Sequence, residues 1–414
     1  MLKDQLINYM KTFETEHIDF DLFVTFEHVL VHENNFKAVN YSDEQGIRDL
    51  LEYLGRAGWE LIEDDGVLVG CKKDKETIRL GLGGQVQWTY GPFFQMQDLD
   101  QAYLNFIETL FDELRRRGMI LLATGHQPVS ASSDIEVVPT AENKCMMEYA
   151  GNNVALVDYL TSSAKTSVSF KYAHVDNFEK RYQAAMIIQP ALAAFFDNAA
   201  WVEGKENTKP LYNLNNLVTA DESLYHVEDT LSNSFKYRDF ADFLMYAPAV
   251  AMKDGDKLVY AGDKKVEDVF VDGVSEDDVK RILRTVKPMV SMDAHGMTIT
   301  NVDSVPYPLN MAYVLLVRAL LYSPDHITAL QKMIEEMKEE NIVTAHQETL
   351  QKGLKAPMGE GTTFDLMKDL FFMITLTVGP KEQHYLQPLN ALLFKDITTK
   401  GVSAKQFANM MANA

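Results

Sequence analysis

Hydrophobic and polar positions alternate in one half of the chain and recur at helical spacing in the other. Residues 20–31 (FDLFVTFEHVLV) are rich in β-branched and aromatic side chains and predict a buried strand. Three short runs follow: WELIE, GVLVGCKK and TIRLGL. Asp-Asp-Gly and charged turns separate them, which predicts an antiparallel meander. Gly83-Gly84 break the pattern before VQWTY resumes it. Further strands are expected at MILLATG (119–125), at the alternating TSVSFKY (166–172), and as two short segments around Gly296 within 288–302.

Helical periodicity predicts an amphipathic helix over 2–13 and one beginning at Ser42 as N-cap and ending at Gly58. A strong helix over 98–117 carries Leu99, Tyr103, Phe106, Leu110 and Leu114 on one face. Arg115-Arg116-Arg117 complement its C-terminal dipole. A helix over 176–200 is expected to be interrupted at Gln189-Pro190, and another to open at Ser234 and stop at Pro248. Beyond about 308 the pattern is helical over 308–323, 325–340, 363–378 and 402–413. Partial segregation of strands and helices points to an α+β protein. With no repeat and no Pro/Gly/Ser linker, 1–414 reads as a single domain whose portion 305–414 is mostly helical.

Composition narrows the function. Thirty-nine basic and 60 acidic residues give a net charge of −21. That balance argues against nucleic acid and against an anionic membrane surface, since both are held by Lys and Arg. Only Cys71 and Cys145 are present, so no disulfide framework can form and a cytoplasmic location is expected. The start, MLKDQLINYMKTFETEH, lacks the apolar core of a secretion signal, and no run of apolar residues is long enough to span a membrane. The chain has no GxxxxGK[ST], HExxH, CxxC or EF-hand loop, and RLGLGGQ lacks the strand–GxGxxG–helix context of a dinucleotide site. His126 and His295 each adjoin a glycine at a strand end, where a site could lie, but a hydrogen-bonded turn histidine is the favoured reading for each.

Several short patterns occur in an informative order. Leu80-Gly81-Leu82-Gly83-Gly84-Gln85-Val86-Gln87 resembles the strand–GGQ–strand signature of glutamate–cysteine ligases of the plant and proteobacterial type. Gly125-His126-Gln127-Pro128, Asp134-Ile135 and Val138-Pro139 resemble that family's next segment. The strand Thr166–Tyr172 with Ile188-Gln189-Pro190-Ala191, then Ser234-Phe235 with Asp239-Phe240, and Leu320-Leu321-Tyr322 are similar to later ones. The resemblance implies a glutamine-synthetase-like fold, a curved antiparallel sheet forming a cup with helices outside. It implies ATP, Mg²⁺, glutamate and cysteine as ligands, and ATP-dependent joining of the glutamate γ-carboxylate to the cysteine amine for glutathione biosynthesis. In such chemistry carboxylates hold the hard Mg²⁺ ion and arginines clamp phosphate and carboxylate.

Departures from the family pattern fall on charged positions. The family's first strand carries two carboxylates two residues apart. Here one register places Phe26 and His28 there, and the other keeps Glu27 but places Val29 second. Gly81 and Gln87 stand where the GGQ segment has glutamates. Glu142-Asn143 replace an Arg-Tyr pair. Ser167, Ser169 and Lys171 replace Gln, Asn and Asp, while Pro210-Leu211-Tyr212 replaces Ser-x-Arg and Thr298-Ile299-Thr300 replaces Glu-x-Arg. The implied site is then catalytic Glu27, His28, Gln85 and Gln87, with Glu27 and Gln87 as metal ligands. His126, Gln127, Ser167, Ser169, Tyr212, Thr298 and Thr300 would contact substrate.

Neutral oxygens offset the desolvation of a divalent ion less well than carboxylates do. Removing a whole buried charge cluster is tolerated better than breaking one pair. The pattern therefore favours a homologue with lost or altered catalysis, a pseudoenzyme binding a small carboxylate or acting with a protein partner. The alternative is a working ATP-dependent ligase making γ-glutamylcysteine. A third reading is a new activity using His28, His126 and His295 as metal or acid–base groups. Asp134, Glu136 and Asp303 are the other acids expected near the cup.

Overall fold

The computed structural model describes residues 1–16, 22–225, 227, 229–232, 234–337 and 339–413. Residues 20 and 21 of the expected first strand, and Lys338 of the expected helix 325–340, lie outside the described residues. The architecture is α+β, built on a nine-stranded antiparallel sheet.

The long strand β1 (Leu22–His32) occupies its centre. The expected meander forms β2 (Glu60–Asp64), β3 (Val67–Lys73) and β4 (Glu76–Leu80), and β5 (Val86–Phe93) joins it to β1. β6 (Met119–Leu122) pairs with the C-terminal half of β1. On the other side lie β7 (Lys165–Phe170), β9 (Met297–Asp303) and, at the edge, β8 (Val290–Met292). The spatial order is therefore β8-β9-β7-β1-β5-β4-β3-β2.

Period-two alternation divides the two faces. Leu22, Val24, Phe26 and His28 of β1 are buried, as are Val86 and Trp88 of β5. Trp88 stacks on Phe26 and on Phe106 of helix α1 (Met96–Arg116). Burying such side chains contributes about 1.5–3 kcal/mol each. Helices α4 (Val175–Phe195) and α7 (Leu309–Tyr322) pack on the neighbouring strands. Between α1 and α4 the chain forms α2 (Ala141–Ala150) and α3 (Val154–Ser162). α5 (Tyr212–Ala220) and α6 (Glu276–Thr285) lie between α4 and α7, and α8 (Glu339–Lys352) follows α7. One contiguous apolar core runs from Leu2 to Leu393.

Three expected boundaries differ. Ser42 caps no helix, because its N–H and hydroxyl both donate to Glu136 Oε2, each at 2.8 Å; the helix starts at Ile47. α4 continues through Pro190, where tertiary packing outweighs the missing backbone donor; Gln189 and Pro190 are fully enclosed in the core. Ser234 does not open its helix either: the helix is Tyr237–Tyr246, and Asp239 Oδ2 accepts the Lys236 N–H at 2.7 Å. Helices α2, α3 and α6 do carry legible N-caps in Thr140, Asn153 and Ser275.

Candidate functional site

The face of the sheet opposite the aromatic core is polar. Register across the strands aligns two rows. One row runs Thr77, Thr89, Thr25, Ser167, and the Thr25 and Thr89 hydroxyls meet at 2.8 Å. The other runs Arg79, Gln87, Glu27, with Lys165 next across β7. A third group lies toward the sheet edge, where Thr298 donates to Ser169 at 2.9 Å and Ser169 to Asp293 Oδ2 at 2.6 Å. Ser167 Oγ and Thr300 Oγ1 are 3.5 Å apart. His295 stacks on Phe23 at 4.0 Å and closes this end. Thus Glu27, Gln87, Ser167, Ser169, Thr298 and Thr300 do share one surface.

Glu27 is the one carboxylate that β1, β5 and β7 present there. Both its oxygens are engaged. Oε1 accepts from Gln87 Nε2 at 3.1 Å, and Oε2 accepts the Lys165 backbone N–H at 3.1 Å. Burial pushes its carboxyl above the usual range, while Lys165, Lys287 and Gln87 pull the other way.

The cations around it were not anticipated. Burial opposes the charge of Lys165, yet Tyr159, Glu27 and Asp303 outweigh it and hold this lysine above its ordinary value. Its ammonium lies 4.3 Å from the Tyr159 ring centroid. Lys287, between α6 and β8, faces the same carboxylate. Burial first, and then Lys165, bring it down to about 7. Its position depends on Asn301, the extra residue of a β-bulge in β9 with φ of +61°. Asn301 Nδ2 donates to the carbonyls of Lys287 at 2.9 Å and Pro288 at 3.2 Å, and Oδ1 accepts from Tyr159 at 3.0 Å. Arg79 of β4 stands beyond Gln87 in the same row, with Arg284, Asp64 and Glu142 as its charged neighbours. Glu142 does not reverse the local charge, because Arg284 of α6 pairs with it through two bonds of 2.8 and 2.7 Å.

Other expected site residues lie elsewhere. His28 sits on the core face, 2.8 Å from the Tyr103 hydroxyl, and burial lowers it to about 4. Gln85 latches the end of α3: its Nε2 donates to Thr161 O at 2.8 Å and Ser163 O at 3.1 Å, and its Oε1 accepts from Gly83. Gly83 passes so close that a Cβ would meet Thr161 O at 2.1 Å, so this glycine serves backbone packing. Gln127 spends its amide on Phe36 O, Val129 N and Ser130 N, shaping a turn. Lys171 falls just past the end of β7.

His126 and Tyr212 belong to a second, buried polar cluster. His126 Nδ1 is 2.8 Å from Asn213 Oδ1, its Nε2 is 3.6 Å from Asp158, and its ring meets Tyr212 edge-on. Burial lowers the His126 pKa. Asp303 joins this cluster, accepting from Asn213 Nδ2 at 2.9 Å and Asn198 N at 2.8 Å, and burial raises its pKa. Asp134 and Glu136 hold the 40–42 loop instead of the polar face. His28, His126 and His295 do not converge on one another. Among the described residues, no group of three or more His, Cys, Asp or Glu is arranged to hold a metal ion.

Lys165 had a legible signal, since it starts the alternation that also sets Ser167 and Ser169 on one face. Lys287 had none, because its loop reaches the sheet only through tertiary contacts. No helix among the described residues is long and apolar enough to cross a membrane.

The family profile of glutamate-cysteine ligase family 2 (GCS2) matches residues 24–223, which span β1 through α5. Glutamate–cysteine ligase A, chloroplastic, of Oryza sativa subsp. japonica is 21% identical over 374 residues, covering 85% of this chain and 74% of that protein. The chloroplastic glutamate–cysteine ligase of Arabidopsis thaliana is 20% identical over 387 residues, covering 88% of this chain and 72% of its own. That of Solanum lycopersicum is 21% identical over 342 residues, covering 78% and 64%. The order of motifs, the antiparallel sheet they build and these similarities agree: over residues 24–223 the chain is similar to glutamate-cysteine ligase family 2, and over most of its length to plant glutamate–cysteine ligases.

Proposed function

We propose that the polar face binds a small carboxylate directly, through lysine and arginine, and that the family's ATP-dependent ligation is lost or strongly altered here. The family is one of ATP-dependent ligases, whose chemistry uses ATP and a metal. The observation that carries the reading is the setting of Glu27, a single carboxylate whose two oxygens are already engaged and which faces Lys165 and Lys287. A divalent cation wants several free anionic oxygens. This donor set offers one occupied carboxylate amid ammonium groups, so it does not fit Mg²⁺. The same set suits an anion. Lys165, Lys287 and Arg79 supply charge, and Thr25, Thr89, Ser167 and Thr300 supply hydroxyl donors around them.

In this reading Lys165 is fixed by the Tyr159 ring and Glu27, and Lys287 takes up a proton as the anion arrives. Binding therefore weakens as pH rises above about 7, where free Lys287 loses its charge. The ligand belongs to the family's substrate class, glutamate being the first to test. A cytoplasmic location is part of the same proposal; the relatives' names describe chloroplast proteins.

Calorimetry with L-glutamate in chelated, Mg²⁺-free buffer tests it. Saturable binding is expected, unchanged by added Mg²⁺ and at least about tenfold weaker in Lys287→Met, the loss of one charge-assisted contact. Incubation with ATP, Mg²⁺, glutamate and cysteine should release no phosphate and form no γ-glutamylcysteine. Product formation abolished by Glu27→Ala would establish the working ligase instead.

A further inference from the structure

A cavity of about 330 Å³ lies outside the polar face, between α4, α8, residues 218–225, 227 and 229–231, and Pro288–Met289. Its size falls within the range of small-molecule sites. Tyr182, Val227, Leu231, Ile342 and Leu350 make its walls apolar.

Two buried polar groups in its lining are unsatisfied. Among the described residues, His346 Nε2 and the Tyr225 hydroxyl have no hydrogen-bond partner, and each residue is only 9% exposed. Leaving such buried groups unpaired is unfavourable, so a ligand that pairs them gains from it. The His346 tautomer follows from its other nitrogen. Nδ1 is 3.1 Å from the Met289 sulfur, and a thioether can only accept, so Nδ1 carries the proton and Nε2 is an acceptor. Burial keeps this imidazole neutral, lowering it to about 4, with the Met186 carbonyl a smaller opposing influence. The mouth carries Glu222 and Asp229, and no lysine or arginine lines the cavity among the described residues.

We infer that this cavity is a binding site for an arylalkylamine whose ring bears an N–H donor: the ring fills the apolar body, its N–H meets His346 Nε2, and the ammonium lies toward Glu222 and Asp229. Nothing in this depends on ligand binding at the sheet.

Calorimetry of the full chain with tryptamine tests it. One-to-one saturation with a Kd below about 1 mM is expected. 1-Methyltryptamine, without the ring donor, and indole-3-acetate, with the tail charge reversed, should each bind at least about fivefold more weakly. Val343 is 41% exposed at the rim, so Val343→Trp should plug the mouth, abolish binding and leave the melting curve unchanged. His346→Phe should weaken tryptamine while leaving 1-methyltryptamine unaffected. Absence of saturation, binding insensitive to Val343→Trp, or indole-3-acetate binding as tightly as tryptamine would each overturn the assignment.

Discussion

Lys287→Met should stabilise this protein, and the gain should depend on pH in a defined direction. Lys287 titrates at about 7 in the native state against an ordinary value of 10.5, chiefly through burial and secondarily through Lys165. Above 10.5 the lysine is neutral in both states and costs nothing. Between 7 and 10.5 the unfolded chain binds a proton that the native one does not, so stability falls as pH falls. Below 7 the full penalty applies, about 4–5 kcal/mol if the whole displacement is realised, and about half that after allowing for the water that reaches the polar face. At pH 9 the corresponding figure is about 1–2 kcal/mol. Methionine keeps most of the stem's apolar contact and removes the charge. At about 2.1 cal/mol/K per residue, a 414-residue chain changes its Tm by about 1 °C per kcal/mol. Differential scanning fluorimetry should therefore show the variant melting about 2–5 °C above the parent at pH 6 and about 1–2 °C above it at pH 9. An equal gain at both pH values, or a loss at both, would refute the placement of this ammonium among buried cations.

Further measurements test other parts of the structure. Gly83→Ala drives a Cβ into Thr161 O and should cost about 1–3 kcal/mol, read as a lower urea midpoint; an unchanged midpoint would mean that this close approach is absent. Asn301→Ala loses bonds to Lys287 O, Pro288 O and Tyr159 at a left-handed position, so a loss of about 2–4 kcal/mol is expected, with Asn301→Gly recovering only the backbone part. Cys71 is buried and its thiol is pushed up to about 12, so native protein at pH 8 should react with a chromogenic disulfide far more slowly than unfolded protein; a fast native reaction would contradict that burial.

The chain's short-range patterns carry much of the sheet. Alternation in 22–32 and 165–170, the Asp-Asp-Gly turn and the aromatic spacing in 96–116 can be read because each concerns neighbours within a few residues. The shared face of Ser167 and Ser169 follows from the same alternation, as does that of Thr298 and Thr300. Motif order also carried the resemblance to the family. The charge balance of the site was not legible in this way. Glu142 looks like a charge reversal until Arg284, 142 residues away, closes on it. Glu27 looks like a metal ligand until Gln87 and Lys165 take both its oxygens. Gln85 and Gln127 look available to a substrate until backbone groups from distant segments claim their amides. Periodicity assigns a side chain to a face, but which charges meet there depends on strand order and on where loops return. The bulge at Asn301 and the path of the Lys287 loop were set by tertiary packing, and they make this sheet face cationic within a strongly acidic chain.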